Sequence, residues 1–116
     1  MDYGEFQERW EQESAKERHS FERMSPEQLL GYVAHGQFGQ YYGLWRTIAS
    51  KCSFQAAAEP LLHVLYSDED YLIRYHCADA LITLSKAAGV EPVHLTAGDY
   101  VPALKQFELF VRSQLG

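Results

Sequence analysis

A chain of 116 residues, 47% hydrophobic and 22% charged, has the composition of one ordinary globular domain. Sixteen acidic against ten basic residues leave a net charge of -6, which repels nucleic acid and acidic lipid surfaces and disfavours both as ligands. Two cysteines are too few for a disulfide-built secreted scaffold, and the chain shows no leader-like apolar start and no apolar run of membrane length, so a cytoplasmic protein is expected.

Residues 5–24 contain no Gly or Pro, are rich in Glu, Arg and Gln, and place Phe6, Trp10, Phe21 and Met24 at helical spacings around a polar middle. This pattern predicts a charged N-terminal helix within 1–24 whose ends pack and whose centre, Glu11 to His19, faces solvent. Residues 1–25 carry seven acids and four bases, and residues 53–89 five acids and two bases, so the acidic character has two addresses. Ser25-Pro26-Glu27-Gln28 then supplies a capping hydroxyl, a proline at the first helical position and a glutamine placed to close a capping box. A second helix is expected from Pro26 through Leu29, Leu30, Tyr32 and Val33 to Ala34 or His35, closed by Gly36 in the left-handed conformation. Gly36-Gln37-Phe38-Gly39 forms the turn into a third helix over about 40–51. There Tyr41, Leu44, Trp45, Ile48 and Cys52 share one apolar face and Gly43 sits mid-helix. Segment 26–52 is the first hairpin.

Ser53 can cap a fourth helix over 54–66, with Pro60 tolerated if the regular part begins near Glu59 and the alanine run is its lead-in. Leu61, Leu62, Leu65 and Tyr66 share its face. Ser67-Asp68-Glu69-Asp70 is the next turn and puts acid at the start of a fifth helix, Tyr71 to Ala88, where the helix dipole favours it by about 0.3–1 kcal/mol per group. Ile73, Cys77, Ala80, Leu81 and Leu84 line the inner face of that helix and Gly89 ends it, making 54–89 a second hairpin. Pro92 interrupts the segment that follows, Asp99 offers a cap, and Val101, Leu104, Phe107, Val111 and Leu115 recur at three and four along a closing helix over 99–115. No strand alternation rises above noise. The expected fold is all-α, with five to six helices in one domain.

Leu29-Leu30 and Leu61-Leu62 stand 32 residues apart, close to the period of known helical repeats. Leu61-Leu62-His63-Val64-Leu65, followed by Asp68, Asp70, Ile73-Arg74, Cys77-Ala78, Ala80-Leu81 and Leu84, resembles the HEAT repeat. That family's pattern is a leucine-rich first helix, an Asp turn, a Val-Arg pair and an Ala-Ala-x-Ala-Leu second helix. The resemblance lies in residues 59–85 and implies a short, right-handed, HEAT-like α-solenoid of the armadillo type, with Asp68 and Arg74 in the places of the turn Asp and second-helix Arg. The first hairpin departs from the pattern, because Tyr42 and Gly43 stand where the Arg would fall, and reads as a degenerate or capping repeat. In that family the second helices line a concave surface for protein contacts. Carried over, this implies Gln40, Tyr41, Tyr42 and Arg46 together with Tyr71, Arg74, Tyr75 and Asp79.

No serine-nucleophile elbow, phosphate-binding loop or dinucleotide fingerprint occurs, and helix capping explains the acids at 68–70, so no catalytic residue and no cofactor are expected. His63, His76 and Cys77 lack metal-ligand spacing, since adjacent helical residues point about 100° apart, and no metal is expected. Eight tyrosines remain to be placed. Tyr42 and Tyr75 are the best exposed candidates, because tyrosine buries a large area with few rotors to freeze; the competing reading is that they fill gaps between helices. The charged N-terminal helix reads as a solvated cover, with an acidic contact surface for a basic partner as the alternative. The contact surface expected is Tyr42, Arg46, Asp68, Glu69, Asp70, Tyr71, Arg74, Tyr75 and Asp79, on a protein-binding module rather than an enzyme. Its partner is expected to be another protein, a basic toxin or nuclease that the chain masks in the manner of an immunity protein. Two alternatives stay open. One is an adaptor, scaffold subunit or homodimer that buries the aromatic surface permanently. The other is a small ligand-binding protein or enzyme with a deep pocket at Arg74, Tyr75 and His76.

Overall fold

The computed structural model describes residues 3–88 and, beyond them, Lys105, Glu108, Leu109, Val111, Arg112 and Ser113. Five helices form the body: α1 (Tyr3–Glu22), α2 (Pro26–Ala34), α3 (Gly43–Lys51), α4 (Phe54–Leu65) and α5 (Tyr71–Ala87). The described residues beyond 88 are also helical, and no strand occurs among the described residues. The predicted segment 89–98, the cap at Asp99 and the stripe residues Val101, Leu104, Phe107 and Leu115 lie outside the described residues. None of the described helices is long and apolar enough to cross a membrane.

Three of the helix starts are written in local chemistry. Ser25 accepts from the Gln28 N–H at 3.1 Å while the Gln28 side chain accepts from the Ser25 N–H at 2.8 Å, the reciprocal capping box expected from the sequence. Ser53 accepts from the Ala56 N–H, and Asp70 accepts from the Ile73 N–H at 3.0 Å, so each supplies an acceptor to a donor that a helix start otherwise leaves unmatched. α2 ends at Gly36, whose φ of 75 is the left-handed closure that the sequence calls for.

α4 is the centre of the core. Seven of its twelve residues are buried, from Phe54 and the alanines 57 and 58 to Leu65, and only Gln55, Ala56, Glu59 and His63 form an exposed strip. Its alanine run is therefore part of the helix rather than a lead-in, and Pro60 lies inside it. Proline has no N–H, so the Ala56 carbonyl loses its donor four residues on; Ala56 is exposed, and water can take that place. Pro60→Ala is expected to raise stability by about 1–2 kcal/mol, restoring that bond against a smaller loss of unfolded-state rigidity. Urea titration checks it, and a destabilised variant would contradict it. Tyr66, expected to share a face with Leu61, Leu62 and Leu65, is instead the exposed C-terminal cap, and Val64 is buried with the leucines.

α2 packs on α3 and on α4, α4 on α5, and α3 on both α1 and α5. Small side chains allow the close passage of α5: Ala78 and Ala80 are buried, and the Cys77 thiol lies 3.3 Å from the Leu61 carbonyl across the α4–α5 contact. On the far side of α4, Tyr66 donates to Glu108 at 3.1 Å and the Arg112 guanidinium reaches Glu59 and Glu108, which ties the helical residues near the C-terminus to α4.

Two expectations about the first third of the chain need correction. α3 begins at Gly43 rather than near Gln40, and Tyr42, with φ 63, is left-handed. Three residues between α2 and α3 have positive φ: Gly36, Gly39 and Tyr42. A long-range contact holds this loop: the Glu17 carboxylate of α1 accepts from the Gln40 N–H at 2.9 and 3.0 Å and from the Tyr41 N–H at 3.4 Å. The centre of the first helix is docked on one side only, with Glu11, Gln12, Glu13, Lys16 and His19 exposed as expected. Glu17 and Arg18 are half-buried, the Lys51 ammonium donates to the Glu22 and Met24 carbonyls at 2.8 and 2.5 Å, and it is the N-terminal end, Tyr3 and Phe6, that stands exposed.

Candidate functional site

α1, α3 and α5 enclose an open groove of about 680 Å³. The start of α3 supplies its middle, with Tyr41 and Tyr42 ahead of the helix and Gly43, Trp45, Arg46 and Ala49 on its first two turns. α1 contributes Trp10, Ser14 and Arg18, each four residues apart and so stacked along one side of the helix. α5 contributes Tyr75, His76, Asp79, Ala80 and Thr83 at the same rhythm of three and four. α1 and α3 approach each other at Gly43, where a Cβ would sit in ordinary van der Waals contact with Arg18 at 3.5 Å.

Aromatic rings give the groove its shape. Tyr42 stacks on His76 with centroids 4.4 Å apart and planes at 21°, and Tyr75 meets the same imidazole edge-on at 5.4 Å. Trp10 meets Tyr41 edge-on at 5.7 Å. Tyr41 donates its hydroxyl to Glu13 at 2.6 Å, and that hydrogen bond, ahead of burial, holds the phenol above its ordinary pKa. A left-handed conformation is uncommon for a residue other than glycine and costs Tyr42 about 1–2 kcal/mol. The stack on His76 is the contact that this conformation secures.

Charge in the groove is sparse and opposed. Arg46 is exposed and makes no ion pair or side-chain hydrogen bond among the described residues, and Asp79 is exposed on the facing helix. Arg18 pairs with Glu22 at 3.6 Å, in an exposed geometry that contributes little. Comparison with protein-family models, with curated proteins and with solved structures gives no match. The groove's own side chains therefore carry the functional reading.

Of the residues expected at the contact surface, the structure gathers Tyr42, Arg46, Tyr75 and Asp79 into the groove. Tyr42 and Tyr75 are half-buried there rather than freely exposed, since each packs on His76. Arg74 is half-buried beside them on α5 without lining the groove. Asp68, Glu69, Asp70 and Tyr71 form a separate patch at the start of α5: Asp70 caps the helix, the Glu69 N–H donates to Ser67 at 3.3 Å, and exposed Tyr71 sits 6.1 Å from Tyr75. The surface expected from the sequence does not include Trp10, Ser14 and Arg18, because the charged helix reads there as a cover, and His76 is expected at a pocket only in the ligand-binding alternative. The spacing of Trp10, Ser14 and Arg18 was the available signal.

The two thiols take no part. Both are free and buried, and no group of three or more potential ligands is placed to hold a metal among the described residues. Burial pushes the Cys77 thiol well above its usual value; it also raises Cys52, helped by Glu27 and opposed by Lys51. Because the thiolate is the reactive form, Cys77 is expected to resist alkylation in the folded chain and to react on unfolding. Peptide mass spectrometry after timed alkylation measures this. Equal labelling with and without denaturant would refute the buried placement.

Proposed function

We propose that this chain is a cytoplasmic protein-binding module, a short right-handed HEAT-like stack that masks a basic protein as an immunity protein masks a toxin enzyme. The observation that carries the binding reading is the make-up of the groove. Six of its fourteen lining residues are accessible Trp, Tyr or Arg side chains, the types that dominate binding energy at protein interfaces, and Arg46 among them has no partner within the described chain. Binding rather than catalysis is favoured because the groove presents aromatic planes and one unpaired guanidinium, while the acidic trio 68–70 lies outside it. The net charge of -6 sets the sign of the partner, since opposite charge accelerates encounter. Support for the repeat reading comes from the pairing of α2 with α3 and α4 with α5, from side-by-side α3 and α5, and from the buried alanines of α5.

Affinity capture of the full chain at physiological salt, with Arg46→Glu in parallel, tests the proposal. One basic protein should be retained by the wild type and weakened about tenfold or more by a charge reversal that leaves the melting curve alone. Retention of no protein by the wild type, or equal retention by the variant, would sink it. Permanent burial in a homodimer or a larger assembly is the second reading, favoured by the exposed Tyr71 and Leu72 of α5. Light scattering over a concentration series distinguishes a dimer.

A further inference from the structure

The docked face of α1 continues past the point where its support stops. Tyr3, Phe6, Trp10, Glu13, Glu17 and Phe21 follow one another at spacings of three and four and so share one side of the helix. The lower part of that side is engaged: Phe21 is buried, Glu17 holds the Gln40 backbone, and Glu13 takes the Tyr41 hydroxyl. The upper part carries three large apolar side chains that stay 79%, 58% and 48% exposed at Tyr3, Phe6 and Trp10. Trp10 belongs both to this stripe and to the groove wall, so the two form one surface. From Tyr3 to Trp10 the stripe extends it by about 10 Å at the helical rise.

We propose that this stripe is a ridge on which a basic amphipathic helix of the partner docks, its Lys and Arg residues flanking an apolar seam. The inference rests on the reading of the chain as a binding module and adds where, and with what kind of segment, the contact is made. Charge chooses the occupant. Residues 3–13 carry Glu5, Glu8, Glu11 and Glu13 against Arg9 alone, within a chain of net charge -6. A helix is about 10–12 Å wide and the screening length in physiological salt is about 8 Å, so an occupant lying along α1 feels these carboxylates together. A second copy of the chain brings the same excess of acid and is repelled, as is an acidic lipid surface. A basic helix is attracted by those charges, and its seam covers the aromatic anchors spaced i, i+3 and i+7.

The test places a photo-crosslinking phenylalanine analogue at position 6 of the full chain, in the cells it comes from, with the analogue in parallel at position 83, an exposed residue of the groove. The expected adduct at position 6 maps by mass spectrometry to one protein, within an amphipathic helical segment of net positive charge. Adding Glu8→Lys and Glu11→Lys should lower its yield by about tenfold with the thermal melt unchanged. Adducts at position 6 to a second copy, to lipid, to a segment without that basic pattern, or to nothing overturn the proposal. An adduct at position 83 with none at position 6 leaves the groove reading standing and removes this one, whereas no adduct at either position removes both.

Discussion

Gly39→Ala is expected to destabilise the chain by about 2.5–5 kcal/mol, the sum of a backbone cost and a lost long-range hydrogen bond. Gly39 has φ 73, where an added Cβ crowds the following carbonyl at a cost of about 1–2 kcal/mol. That Cβ would also overlap the Glu17 carboxylate and come within 3.1 Å of the Phe21 ring. Glu17 must then move, leaving the Gln40 and Tyr41 N–H groups without the acceptor that ties α1 to the loop before α3; a hydrogen bond to a charged group contributes about 1.5–3 kcal/mol. Gly36 is the internal control. Its φ of 75 is nearly the same, but a Cβ there would meet nothing within 4 Å, so Gly36→Ala should show the backbone cost alone. Urea denaturation of both variants, and of each combined with Glu17→Ala, measures the difference. Equal losses at the two glycines, or additive losses with Glu17→Ala, would mean that Glu17 does not hold the loop.

That pair of glycines also marks where the sequence was legible and where it was not. Both read as turn residues, and Gly36 acts as one, because the signal for closing a helix is local. The role of Gly39 depends on Glu17, more than twenty residues earlier, and no periodicity or capping rule joins the two. The same limit explains why the sequence places the start of α3 about a turn too early and gives no sign that one side of the middle of α1 is docked. The capping box at Ser25, the caps at Ser53 and Asp70 and the buried faces of α3 and α5 were readable, since each rests on residues within one or two turns. Tyr42, Arg46, Tyr75 and Asp79 follow in the sequence from the resemblance to a helical repeat, and they meet in one groove because α3 and α5 lie side by side. The third wall of the groove was hidden, because which helix packs on α3 is decided by contacts across the chain.

Trp45→Ala should cost about 3–5 kcal/mol, the usual loss for truncating a buried large aromatic, whereas Trp45→Phe should stay within about 1 kcal/mol of the wild type. Trp45 is 2% exposed, its ring stacks on Phe38 at 5.7 Å, and it sits beneath the groove between α1 and α5. Alanine removes a buried ring that packs on Phe38 and leaves a cavity that Phe38 alone cannot fill. Phenylalanine keeps most of the ring and removes the indole N–H, which is buried without an acceptor. A buried unmatched donor costs about 1–3 kcal/mol, enough to offset the smaller ring's poorer packing. Chemical denaturation followed by far-ultraviolet circular dichroism compares the two variants without relying on the fluorophore that they remove. If Trp45→Phe were as damaging as Trp45→Ala, the indole N–H would have to make a bond within the folded chain. If the phenylalanine variant holds its stability, packing does not explain the indole at position 45, and partner affinity becomes the quantity to measure on that variant.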